Sequence, residues 1–264
     1  MTIGDEPREP VRISALEFDV LWEHFELDQM PLVLKVPSPG RTDEERATIV
    51  RRVWADLTAR GLGDPDDPSP RVERLLRLLR RPDREIDGRL WLDGDLRLFT
   101  AATGDDAVLA TLANGTLELT EAEATGLPRF ALSVLPPTQA GPGQSITLRS
   151  ADFEAAAREA RNQDQLASAL HDRGVRSADA TTLAEMIGDI VRRGQYGSAV
   201  RDRWGRRVRA ARVISFFDTD AGRYLQIRRE EEGGEAWTTI SPADGRRLLQ
   251  HLTTLHEEQL APSP

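Results

Sequence analysis

Pro136-Pro137 and Gly141-Pro142-Gly143 interrupt the chain near its middle, and the same succession of structural signals is written on both sides of the break. This repetition constrains the fold more than any other feature, because helices followed by period-two strands, twice over, call for two similar packed halves. In the first half, Ser14-Ala15-Leu16-Glu17 is a capping box that opens a helix running to about Leu27, with Val20, Leu21 and Phe25 inward. Pro31–Val36 reads as a short strand ended by Pro37. Thr42-Asp43-Glu44-Glu45 is a second capping box, and Val50, Val53, Trp54 and Leu57 recur at helical spacing until Gly61. Ser69-Pro70 starts a third helix that buries Val72, Leu75, Leu76 and Leu79 before Pro82.

The apolar period then falls from about 3.6 to 2, the mark of antiparallel strands. A two-residue turn at Asn114-Gly115 pairs Leu112 with Leu117 and Ala110 with Leu119, and Val108 joins the same face. A three-residue loop at Asp93-Gly94-Asp95 gathers Leu90, Leu92, Leu96 and Leu98 on one face and leaves Arg89, Trp91, Arg97 and Phe99 on the other. That second face is rich in the aromatic and arginine side chains of protein interfaces, unless a helix packs over it and makes it core.

Beyond the connector the order begins again. A strand at Ser145–Leu148 precedes helices at Phe153–Ala160, Leu166–Leu170 and Leu183–Val191. Strands follow at Gln195–Arg201, Val208–Phe217, Tyr224–Arg228 and Ala236–Ile240, and a last helix opens at Ser241-Pro242 with Leu248, Leu249, Leu252 and Leu255 inward. Ala59-Arg60-Gly61-Leu62 is answered by Asp172-Arg173-Gly174-Val175, and Asp105–Ala113 by Asp220–Ile227. The expected fold is α+β, a quasi-two-fold central antiparallel sheet flanked by two helical bundles. Residues 11–260 form one domain in this reading, with pseudo-repeats at about 11–135 and 144–258, and residues 1–10 and 261–264 as flexible tails.

Little in the chain offers chemistry. It has no cysteine, so thiol nucleophiles, disulfides and thiolate metal sites are excluded. No glycine-rich phosphate loop or nucleophile elbow is present. His24, His171, His251 and His256 are too scattered for a metal pair and read as surface or helix-end residues. Asp105-Asp106 and Asp218-Thr219-Asp220 could serve a small hydrolase, but aspartates at strand ends are also what turns select. No cofactor, metal or catalytic group is therefore expected. With 35 basic and 44 acidic residues, the charge of −9 disfavours a nucleic-acid or anionic-membrane binder. Lys35 is the only lysine, a sign of GC-rich coding rather than of recognition. Arg201–Arg212 carries six arginines against Asp202, a local +5 that reads as a solvated strand pair offset by Glu230-Glu231-Glu232, with Trp204 its one aromatic. No apolar run approaches the roughly 18 to 20 residues that span a bilayer, and no cleavable leader is evident, so a soluble, non-exported protein is expected.

Several stretches carry a resemblance. Leu16-Glu17-Phe18-Asp19-Val20-Leu21-Trp22, Pro31–Leu34, Gly40-Arg41-Thr42 with Glu45-Arg46, and Arg60-Gly61-Leu62 stand in order in the first half. Gln195-Tyr196-Gly197, Asp218-Thr219 with Gly222-Arg223-Tyr224, and Pro242-Ala243-Asp244 follow in the second. Together, from about residue 11 to 256, they resemble the EspG family of ESX (type VII) secretion-associated proteins of actinobacteria. The resemblance implies a cytosolic, non-enzymatic chaperone that binds PE–PPE client heterodimers through the PPE subunit, keeps them soluble and directs them to secretion. It implies the same quasi-symmetric fold, and a client held against the sheet, an early inter-strand loop and the C-terminal helical bundle. Carried onto this chain, that selects Trp91, Asp93, Gly94, Asp95, Arg97, Ile187, Ile190, Leu248 and Leu252 for partner binding. The tight loop at Asp93-Gly94-Asp95 departs from members with a longer one, which implies a different grip or a different partner. A regulatory module for another protein or for nucleic acid is the alternative reading, and monomer and homodimer are both compatible with the sequence.

Overall fold

The computed structural model describes residues 9–231 and 233–260. The tail segments 1–8 and 261–264, and Glu232 of the acidic run, lie outside the described residues.

Ser14 makes both bonds of its capping box: its Oγ accepts from the Glu17 amide at 3.2 Å, and the Glu17 carboxylate accepts from the Ser14 amide at 2.6 Å. Helix α1 (Ala15–His24) follows strand β1 (Val11–Ser14), whose Val11 and Ile13 are buried and alternate with exposed Arg12 and Ser14. Then come a 3-10 turn (Leu32–Leu34), α2 (Asp43–Ala59), α3 (Pro70–Arg80), β2 (Arg84–Trp91), β3 (Asp95–Thr103), β4 (Asp106–Ala113), β5 (Thr116–Glu123) and α4 (Leu127–Leu132). The second half runs β6 (Ile146–Arg149), α5 (Ser150–Glu159), α6 (Gln163–Asp172), α7 (Ser177–Ile187), β7 (Ile190–Arg201), β8 (Arg207–Arg209), β9 (Ile214–Thr219), β10 (Gly222–Glu230), β11 (Ala236–Pro242) and α8 (Gly245–Leu260).

The chain divides into two compact units. One takes in the described residues up to Gly88, Asp95–Ala131 and Val200–Arg207; the other takes in Arg89–Gly94, Leu132–Ala199 and Val208 onward. In the first unit β1 pairs antiparallel with β5, β5 with β4 and β4 with β3, and β2 follows β3 in the order. In the second, β6 pairs antiparallel with β11, β11 with β10, β10 with β9 and β9 with β7. Setting aside the short β8, the first, fifth, fourth, third and second strands are neighbours in each unit, so the repeat read from the order of signals is a repeat of topology. The class is α+β, antiparallel strands with helices packed on them.

The same closure ends the middle helix of each half. Past α2, Leu62 N–H bonds to Leu57 O (3.0 Å) with Gly61 at φ +69; past α6, Val175 N–H bonds to Leu170 O (3.1 Å) with Gly174 at φ +87. Both are Schellman caps, and the positive φ is what glycine supplies without a Cβ penalty. The hairpin at Asn114-Gly115 has φ of +50 and +74 and the expected register, Leu112 to Leu117 and Ala110 to Leu119. Val108, Ala110, Leu112, Leu117 and Leu119 pack in one core with Phe18 and Leu21 of α1, Trp54 and Leu57 of α2, and Leu75 and Leu79 of α3. The second unit's core joins Ile146, Leu148, Phe217, Tyr224 and Ile240 to Ala156, Leu166, Leu170, Leu183 and Met186.

Several expectations are corrected. Pro31–Val36 is not a strand: Leu34 N–H returns to Pro31 O at 2.9 Å, a 3-10 bond, which leaves Leu32 exposed and buries Val33 and Leu34. The second capping box is displaced, since Thr42 Oγ1 accepts from Glu45 N–H but the Glu45 carboxylate accepts from the Arg41 amide. Helix α7 stops at Ile187, so Val191 lies in β7. Helix α8 is capped by Asp244, which accepts from the Arg247 amide (2.8 Å), because Ser241-Pro242 is still paired in β11. His256, read as a surface or helix-end residue, is buried within α8, and its Nδ1 lies 2.8 Å from buried Ser198 Oγ.

Candidate functional site

The sequence-selected residues separate once their surroundings are known. Trp91 ends β2 with half of its surface exposed (50%), and Leu92 N–H closes the following loop on Gly94 O at 3.0 Å. Asp93 projects into solvent and lies 3.8 Å from the Arg192 guanidinium of β7. Gly194 fixes how these segments approach each other: a Cβ there would strike the Leu90 side chain and stand 3.1 Å from Arg89 O. The end of β2, its loop and the start of β7 thus lie side by side within the second unit.

Ile190 and Val191 are both exposed, at 40% and 42%. Successive residues of a regular strand point to opposite faces, so two consecutive exposed apolar side chains need a cause. The β7–β9 register supplies it: Ile190 pairs with Thr219 and Arg192 with Asp218, a bulge in which Val191 is the extra residue. Three exposed apolar side chains, Trp91, Ile190 and Val191, thus stand on adjoining strand ends together with Asp93, Arg192 and exposed Arg193, a mixture suited to a protein-binding surface.

The other selected residues do different work. Arg97, in the first unit, is mostly buried; its Nη1 donates to Lys35 O at 3.0 Å, and Asp95 is 4.0 Å from its Nε. Phe99, on the same face, is buried in the first core, so helices do cover that face. Ile187 is half-buried against the second core. Leu248 and Leu252 are fully buried and hold α8 from beneath, so they are inaccessible to a partner in this conformation. Val191 was missed because the sequence reading ended a helix on it; the signal available was an apolar pair set between Asp189 and Arg192.

Two of the aspartates considered for catalysis have arginine partners. Asp218 receives a two-pronged bond from Arg223 (Nε 2.7 Å, Nη2 2.9 Å), both side chains being buried, and Arg223 also donates to Pro136 O and Thr138 Oγ1. Asp218 is therefore not a turn aspartate. Asp106 is exposed, 3.4 Å from Arg74. Among the described residues no group of three or more His, Asp or Glu side chains is placed to hold a metal ion, and no helix is long and apolar enough to cross a membrane.

Some of the first-half residues that carried the resemblance are bonded together in the first unit. Arg46 bonds to Asp19 (2.6 Å), to Glu23 and to Pro39 O, while Gly40 packs on the Arg46 backbone, where a Cβ would sit 3.0 Å from Cα. Arg60 binds Glu17 (2.6 Å) and Arg12 O, and Trp22 Nε1 donates to Asp28 O. The family model for the EspG family matches residues 14–254. The chain belongs to the EspG family. Among EspG proteins it is 25% identical, over 244 residues, to the ESX-1 secretion-associated protein EspG1 of Mycobacterium tuberculosis (strain ATCC 25618 / H37Rv), covering 90% of this chain and 83% of that one. Its fold is similar to that of the M. tuberculosis type VII secretion system chaperone EspG5, solved in complex with a PE25–PPE41 dimer, with a TM-score of 0.72, 15% identity and coverage of 93% and 95%. The Arg46 and Arg60 bonds hold α1 against its neighbours, so in this chain these residues serve the fold.

Proposed function

We propose that this EspG protein is a cytoplasmic, non-enzymatic type VII secretion chaperone that binds PE–PPE-type heterodimers through the PPE subunit, keeping them soluble and directing them to secretion. The observation that carries the reading is the exposed Trp91–Ile190–Val191 patch in a chain of this family. A client with an apolar tip would gain by burying it there, at about 25 cal/mol per Å² of apolar surface removed from water. Asp93, Gly94 and Arg192 would set the orientation of the client, while the buried Leu248 and Leu252 would serve only the fold. Supporting the partner assignment, the fold is that of a chaperone solved with a PE–PPE dimer. The test is co-expression with PE–PPE pairs from the same genome. A stoichiometric complex on size exclusion is expected; migration of chaperone and every such pair as separate species would overturn the reading.

A further inference from the structure

The turn between β7 and β8 is built to present a tryptophan to solvent. Asp202 Oδ1 accepts from the amides of Trp204 and Arg206, each at 2.9 Å, and its Oδ2 accepts from Arg206 Nε at 2.9 Å. Gly205, at φ +74, bonds back to Asp202 O. Trp204 is 65% exposed on this fixed frame, with the Arg203 and Arg206 guanidinium carbons 4.1 and 4.8 Å from its ring centre. At the root, Arg207 is anchored on buried Glu85 by bonds of 2.8 and 2.6 Å. Among the described residues Arg203 has no carboxylate partner. Residues 201–207 carry four arginines and one aspartate, and with Glu85 paired to Arg207 the tip keeps a local charge of +2 in a chain of net −9.

We propose that this tip is a second docking surface, shaped for an acidic protein segment distinct from the secreted client. Tryptophan and arginine are the residues that dominate protein-interface energies, and here the ring and cations are pre-ordered, which lowers the entropy lost on binding. A carboxylate reaching Arg203 forms a charge-assisted pair, while an apolar neighbour in the partner covers the indole. A nucleic acid fits less well: single strands are held by successive stacking platforms, and this tip has one aromatic.

The full chain is titrated with a fluorescein-labelled peptide of alternating Glu and Leu, with oligo(dT) and phosphatidylserine-containing vesicles as the other arms. The expected result is peptide binding that weakens about tenfold or more in Trp204→Ala and in Arg203→Glu, and weakens again between about 50 and 200 mM salt. Both side chains are exposed, so unchanged Tm values are expected and confirm that the variants fold. Client complexes formed by Trp204→Ala should be indistinguishable from wild type, which separates this surface from the chaperone reading. Absence of peptide binding, variants that bind as wild type does, or tighter Trp204-dependent binding of oligo(dT) or vesicles would each overturn the proposal.

Discussion

Arg223 and Asp218 lie almost wholly out of water, with the guanidinium also 5.1 Å from the centre of the Phe216 ring. Removing one member of such a pair leaves an uncompensated buried charge, so Asp218→Ala should lower unfolding free energy by about 3–5 kcal/mol, measured by urea denaturation. If Asp218→Ala instead left stability intact, the pair would not be the clamp its geometry implies. Glu85 gives a pH effect of defined sign. Burial pushes its carboxyl above the ordinary range, and Arg207 offsets only part of that. The folded protein therefore holds this proton to a higher pH than the unfolded chain does. The stability that Glu85 contributes is complete below the ordinary carboxylate pKa and is lost as pH rises through the folded value. Urea midpoints taken upward from about pH 4.5 should fall more steeply in wild type than in Glu85→Gln; equal slopes would remove Glu85 as the cause.

At the scale of elements, buried and exposed members of the sequence-selected residues call for opposite outcomes. Leu248→Ala opens a cavity under α8 and should cost about 2–5 kcal/mol of stability, whereas Trp91→Ala and Ile190→Asp alter exposed positions and should leave Tm nearly unchanged while weakening client binding. Thermal melts and pull-down of the same variants would distinguish them; loss of stability in Ile190→Asp would mean that the bulge is structural. Elements with both a period and a punctuating residue were legible in the sequence: α1 with its capping box, α2 with Gly61, and the hairpin with Asn114-Gly115. Those decided by tertiary contacts were not. Pro31–Val36 has the apolar content of a strand, yet it folds as a 3-10 turn whose Lys35 carbonyl is held by Arg97 from β3. Ile190 and Val191 read as a helix end, because a bulge has no local sequence signature of its own. Arg97 and Phe99 read as an exposed interface because the strand alternation does not say which face the helices cover.

Across the whole molecule, the polypeptide passes between the two units at residues 88–89, 94–95, 131–132, 199–200 and 207–208. With so many covalent crossings, neither unit can unfold while leaving the other's chain path undisturbed. Urea unfolding followed by far-UV circular dichroism and by tryptophan fluorescence should therefore give coincident transitions, and two separated transitions would instead make the pseudo-repeats independent folding units. The family assignment and the repeated topology place the chain among the EspG proteins, and the exposed Trp91, Ile190 and Val191 are where the proposed client contact is tested. The most direct measurement is size exclusion of the chain co-expressed with a PE–PPE pair from its own genome, wild type beside Trp91→Ala and Ile190→Asp. A stoichiometric ternary complex that forms with wild type and is lost or weakened about tenfold in both variants, at unchanged Tm, is the expected result; a complex that forms equally well with all three would contradict the assignment of the client to this surface.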